Sequence, residues 1–285
     1  MNTNGTLAWR TKFREARLQQ VLRNALIAEK ICDVDRSADY TIHNPYSSQP
    51  TAAVTAIASA GTYSVSAWTT TNDTLTVSDE IAYGEHVFGF ERLLSNFDLF
   101  SDRVDNQSYA VADRIDALVL NEVCDKGTGA YTTPAGGFTS AANFLVIMSN
   151  LLSKVAGYQD VAKGLFLVIE NTDLPGVIQA QGSQGFSLAD AVLNNGFMSS
   201  YMGVDIYVAR SGRFVTDTIG SLTFTNSGHS VFGVKGVATY ASPRSFDIME
   251  KDVTGKTGKE IATATQIGIK VWTQKAPLIV DITLA

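Results

Sequence analysis

Three histidines, two cysteines and one Gly-Lys run are the residues of this 285-residue chain whose types could carry chemistry. His43, His86 and His229 stand alone, with no second His or Cys at the short spacing that holds a metal, so each reads as a surface or packing histidine. Cys32 and Cys124 are equally isolated and read as small core residues, not as a disulfide in a reducing compartment. The run Gly255-Lys256-Thr257-Gly258-Lys259 has the composition of a phosphate loop. A Walker motif, however, needs a glycine five residues before its Gly-Lys pair, and those positions hold Glu250 and Val253. Asp33, Asp35 and Asp39 suggest a calcium loop, but its sixth and twelfth positions are Ala38 and Asn44 where Gly and Glu are required. Neither a Gly-x-Ser-x-Gly elbow, a Ser-x-x-Lys dyad nor a Gly-x-Gly-x-x-Gly fingerprint occurs. The expectation is a chain without catalytic residues, cofactor or metal. A hydrolase with dispersed catalytic residues is the enzymatic alternative.

The elements that would have to position such groups point instead to contact between large surfaces. Charged residues make up only 18% of the chain, below the roughly 25% usual for soluble domains, so much of the surface is expected to be covered. A membrane is not the expected cover, because no run approaches the roughly 18 apolar residues of a spanning helix. The basic N-terminus also lacks the apolar block and cleavage site of a secretory signal, so the chain is expected to stay in a cytoplasm. The absent signal also weakens the reading of the Ser- and Thr-rich composition as a surface adhesin. Net charge is −6, which argues against gripping nucleic acid through the protein's overall field. Yet Met1 to Cys32 holds six basic residues against two acidic ones, an arm able to meet DNA or an acidic neighbour.

Apolar residues at helical spacing between Leu7 and Ile31 predict an amphipathic N-terminal helix, ended by the acids from Asp33 onward. From Thr41 to Ser78 the only charge is Asp73, while Val54, Ile57, Tyr63, Val65, Trp68, Leu75 and Val77 make β-prone runs. Gly61 and Asn72-Asp73 are turn signals there. So little charge suits a β-hairpin arm laid across a neighbouring copy, although an ordinary strand pair on the chain's own sheet is the plainer alternative.

Glu91 to Lys126 is the strongest helical stretch. Phe100, Val104, Val111, Ile115 and Leu118 share one face, and Asp98, Asp102, Asp105, Asp113 and Asp116 fall nearly opposite. The acidic stripe is either a solvated face or a surface that meets basic groups of an adjacent subunit. Beyond Gly127 the pattern is mixed. Thr139 or Ser140 caps a helix with an apolar face from Phe144 to Val155, Gly164 to Ile169 is a buried strand, and Asn171-Thr172-Asp173 starts another helix with Pro175 near its first turn. Val204, Ile206 and Val208 alternate as a half-buried strand, and after Ser230 the chain is mostly β. Its last two strands are expected to form a hairpin through Thr273 to Ala276.

A basic arm, an uncharged hairpin, a long helix, an α/β lobe and returning strands, in that order, resemble the major capsid protein of tailed double-stranded DNA phages. The most family-like stretches are the Gly-led strand Gly203 to Ser211 and the succession of strands from Asp247 to Val280. The resemblance implies an α+β, Hong-Kong-97-like capsid fold with an N-terminal arm (1–40), an extended loop (41–90), a peripheral domain with its spine helix (91–135 and 241–285) and an axial domain (136–240). It implies self-assembly into hexamers and pentamers of an icosahedral virion shell, built in the host cytoplasm and enclosing DNA without sequence-specific binding or a membrane. Scaffolding, portal and decoration proteins are the other partners it brings into view. Tyr46, Tyr63 and Trp68 are the expected aromatic anchors between subunits, with Asp113 and Asp116 as the charged contacts. Some members weld their shells through a lysine on the extended loop, but no Lys occurs here between Ile31 and Asp125, so closure is expected to be non-covalent. An encapsulin-like bacterial compartment shell is the nearest rival.

Overall fold

The computed structural model describes residues 26–37, 39–47, 70–88, 99–158, 163–183, 197–243, 247–252 and 258–285. Most of the expected N-terminal helix, the hairpin from 48 to 69 with Tyr63 and Trp68, and the first part of the expected long helix lie outside the described residues. In chain order the elements are α1 (Ala28–Ile31), β1 (Asp33–Asp35), β2 (Thr41–Ser47), β3 (Thr70–Thr76), β4 (Asp79–Phe88) and α2 (Leu99–Lys126). Then come β5 (Gly129–Thr132), α3 (Ala141–Val155), β6 (Leu165–Glu170), α4 (Leu174–Ser183), β7 (Phe197–Tyr201), β8 (Val204–Ala209), β9 (Thr216–Ile219) and β10 (Leu222–Thr225). The chain closes with β11 (His229–Val234), β12 (Ala238–Ala241), β13 (Asp247–Asp252), β14 (Gly258–Val271) and β15 (Ile279–Thr283). The class is α+β.

A six-stranded mixed sheet in the order β5-β15-β11-β6-β8-β7 forms one centre. Its inner strands are apolar on both faces because both are covered: Phe166, Leu167, Val168 and Ile169 of β6 and Val231 and Phe232 of β11 are fully buried. The strand from Val204 is covered more completely than its alternation predicts, since Tyr207 on the opposite face is 4% exposed. Helix α3 lays Phe144, Ile147, Met148, Leu151 and Val155 on the core, the apolar face its spacing predicts. The β7–β8 turn places Met202 (φ 53°) and Gly203 (φ 78°) in left-handed conformations, which matches the twist of a tight hairpin.

The second sheet runs β1-β12-β14-β13, with β4 also paired to β14. Strand β14 joins two regions: its first ten residues pair antiparallel with β4, and its last four with β12. At ~3.3 Å per residue it reaches roughly 45 Å. The predicted hairpin between the last two strands does not form. Thr273–Leu278 is a 3₁₀ segment, held by the Lys275 ammonium donating to Gly236 O at 2.9 Å, and it carries β15 into the six-stranded sheet beside β11 and β5.

Candidate functional site

Helix α2 is the element on which the other parts converge. From Ile115 to Cys124 every residue is buried, so the helix has no solvated stripe in that stretch. Asp116, expected on an outward acidic face, is 6% exposed, and its two carboxylate oxygens accept the backbone N–H groups of Ile27 (3.1 Å) and Ala28 (2.9 Å). The carboxylate thereby satisfies donors at the start of α1 that would otherwise be orphaned. Burial lifts its pKa to about 7, against the pull of those two donors and of Arg213. The side of the helix that Asp116 presents is occupied by the chain's own N-terminal segment. Leu26, Ile27, Ala28 and Ile31 are all buried there, and β1 continues the attachment by pairing parallel with β12.

Asp113 lies one turn earlier and is partly exposed. It binds the guanidinium of Arg213 and, at 3.4 Å, that of Arg210, both within its own chain. Asn121 fastens the same loop: its amide donates to Ala117 O and Arg213 O at 2.6 Å each, and its Oδ1 accepts from Val215 N at 3.0 Å. Sequence spacing gives no hint of this role, since the partners lie more than ninety residues away.

Among the described residues the low-charge limb is anchored at its base. Strands β2 and β3 pair in register from Thr41↔Thr76 to Ser47↔Thr70, and most of their side chains are exposed or half-buried. Asn72 and Asp73 do not form the predicted turn; both lie inside β3. A tertiary partner overrides their turn preference, because Asp73 accepts from Thr273 N (2.9 Å) and Thr273 Oγ1 (2.8 Å) and pairs with Lys270 (3.2 Å). Burial pushes the Asp73 pKa up, but the Thr273 donors and the Lys270 ammonium outweigh it and hold the carboxyl below its ordinary value. Beside this anchor Leu75 packs against Trp272 and Ala241, and the Trp272 indole donates to Thr239 Oγ1 at 2.9 Å. Tyr46 is half-buried on β2 opposite Thr71.

The three histidines remain apart. His43 Nδ1 lies 3.2 Å from Thr74 Oγ1 and 3.1 Å from Asn72 Nδ2, and His86 sits on β4 opposite Glu260. His229 is not isolated in space: its Nδ1 lies 2.7 Å from Asp281 Oδ1, which also accepts from Cys124 Sγ at 3.0 Å. Burial and the neighbouring Asp281 carboxylate push the Cys124 thiol far up, the wrong direction for a thiolate nucleophile. This grouping escapes a sequence reading because 105 and 157 residues separate Cys124 from its two partners.

No protein-family model and no curated protein matches the sequence. Solved structures do match in fold. One is the capsid structure of the cyanophage P-SCSP1u, 10% identical, with a TM-score of 0.66 over 92% of this chain and 89% of that one. Another is the mature capsid of bacteriophage PhiM1, 9% identical, with a TM-score of 0.65 over 91% and 87%. A third is the virus-like particle from Pyrococcus furiosus, 10% identical, with a TM-score of 0.62 over 96% and 99%. The fold of this chain is the Hong-Kong-97-like capsid fold that the sequence resemblance implies. Among the described residues no helix is long and apolar enough to cross a membrane.

Proposed function

We propose that this chain is the major capsid protein of a tailed double-stranded DNA phage, a structural subunit that closes an icosahedral shell through many non-covalent contacts. One observation carries the reading: the likeness in fold to solved capsid and virus-like-particle structures covers 91% to 96% of the chain. In this reading residues 1–40 are the arm, 41–90 the extended loop, 91–135 with 241–285 the peripheral domain and 136–240 the axial domain. The loop's outer part lies on a neighbouring copy, with Tyr46, Tyr63 and Trp68 as anchors and Asp113 at a subunit boundary. Asp116 has no place among these contacts, because its carboxylate is engaged by Ile27 and Ala28 of its own chain.

Each specific contact of a shell buries on the order of 1,200–2,000 Å². Several at once make the closed lattice far more durable than any pair, while weak single pairs let misplaced subunits leave. A second reading, an encapsulin-like compartment shell around a protein cargo, uses the same shell physics with different contents. Negative-stain imaging of the purified protein, with nuclease-protected nucleic acid measured in the same fractions, tests both. Closed particles holding DNA support the phage reading, particles holding protein cargo support the compartment, and a dispersed monomer at high concentration overturns both.

A further inference from the structure

Where the C-terminal end of α2 crosses β11 and β15, three potential metal ligands of different chemistry converge. Cys124 is the third residue from the C-terminal end of the helix, 1% exposed, with its Sγ hydrogen-bonded to Asp281 of the sheet. On the sheet, Asp281 pairs with Val231, so His229 sits two residues along the neighbouring strand on the same face, the diagonal relation that brings long side chains together. The three ligand atoms lie within 4.8 Å of one another: Sγ to Oδ1 3.0 Å, Nδ1 to Oδ1 2.7 Å and Sγ to Nδ1 3.9 Å. Among the described residues this is the one group of three or more such side chains close enough to share an ion.

We propose that Cys124, His229 and Asp281 form a binding site for a borderline divalent d-block cation, with Zn²⁺ the best fit. A tetrahedral Zn²⁺ with ordinary bonds to S, N and O holds those atoms about 3.4–3.6 Å apart. The two shorter separations need to open by roughly 0.6–0.7 Å and the longest to close by roughly 0.3 Å, movements within the reach of side-chain torsions. The mixed thiolate, imidazole and carboxylate set excludes Ca²⁺ and Mg²⁺, which take oxygen ligands, and suits Zn²⁺. On binding, the Cys124 thiol proton leaves to solvent and the Sγ lone pair bonds the metal, while His229 gives up its Nδ1 proton and keeps its remaining proton on Nε2, so that Nδ1 and the Asp281 carboxylate exchange their hydrogen bond for coordination. Side-chain exposures of 19% for His229 and 25% for Asp281 leave an entry path and room for a water as the fourth ligand. The bound ion ties the spine helix to two strands that the sequence separates widely, a cross-link inside one subunit that is independent of shell formation.

The test is titration of the purified, chelator-stripped full chain with Co²⁺, followed by its thiolate charge-transfer absorption and by Zn²⁺ displacement. One Co²⁺ per chain is expected, with the band abolished in Cys124→Ser. Affinity should fall by at least ~100-fold in His229→Gln and Asp281→Asn, more than the loss of an outer hydrogen-bond partner causes. Cys32→Ser, at the other buried cysteine, should bind as the parent does. Melting in chelator establishes that each variant folds, and Zn²⁺ should raise the melting temperature of the parent but not of His229→Gln. The proposal is overturned if the folded parent takes up no Co²⁺, if His229→Gln and Asp281→Asn bind as tightly as the parent, or if the signal depends on Cys32.

Discussion

Asp116 and Asp73 each tie a limb to the body, and the two ties differ in nearly every physical respect. Asp116 holds the N-terminal segment from inside the core, where desolvation lifts its pKa to about 7. Asp73 holds the hairpin base from a partly exposed strand, where donors and Lys270 keep its carboxyl below the ordinary value. Around Asp116 the chain buries Leu26, Ile27, Ala28 and Ile31, whereas among the described residues of the hairpin only Leu75 is fully buried. The segment from Leu26 to Ile31 therefore belongs to the cooperative core, and the described base of the hairpin is held by a local attachment. The proposed shell subunit would use both: a body that stays folded, and a limb able to reach a neighbour.

The largest expected effect sharpens that division. Phe166→Ala empties a fully buried site in the central sheet and should cost ~3–5 kcal/mol in denaturant unfolding. Hydrogen exchange at the Ile27 and Ala28 amides should accelerate in step with the core, since that segment opens with global unfolding. Next, Asp116→Ala leaves two buried N–H donors without partners and should cost about 2 kcal/mol. The pH response carries a definite sign. Folded-state pKa values raised from 3.8 to about 7 at Asp116 and to about 6 at Asp173 mean stability fully present below pH 3.8 and lost as pH rises through those values. Unfolding midpoints should therefore rise from pH 8 to pH 5, and Asp116→Asn should flatten that slope.

Asp73→Asn should cost about 1 kcal/mol, read as faster exchange at the Thr273 amide with the Phe232 amide unchanged. Its depressed pKa gives the opposite sign: the hairpin attachment is present above pH 3.8 and is lost as pH falls below it. If Asp73→Asn lowered global stability as much as Asp116→Ala, the division between core segment and limb would fail. The smallest effect belongs to Asp113→Asn, where a partly exposed ion pair is worth ~0–1 kcal/mol and the melting temperature should barely move.

The elements defined by local pattern are legible in the sequence. The Leu165–Glu170 strand, the apolar face of Ala141–Val155 and the stop at Lys126 all follow from periodicity, caps and glycine. What distant partners decide is not legible. Asp73 reads as a turn residue because its partner Thr273 lies 200 positions away, and Asp116 reads as solvated because the segment covering it arrives from 88 positions away. The strand after Thr273 reads as half of a hairpin because it follows another strand closely, yet the 3₁₀ segment redirects it to a different sheet. The Cys124, His229 and Asp281 cluster is invisible for the same reason.

The most direct test of the limb's role replaces residues 48–69 with Asn-Gly. Ser47 and Thr70 are paired in register, so a two-residue turn closes β2 onto β3 without disturbing the base. Sedimentation and denaturant unfolding are then compared with the parent. The account predicts a subunit that unfolds at the parent's midpoint but no longer forms particles; particles of parental size and yield from the shortened chain would contradict it.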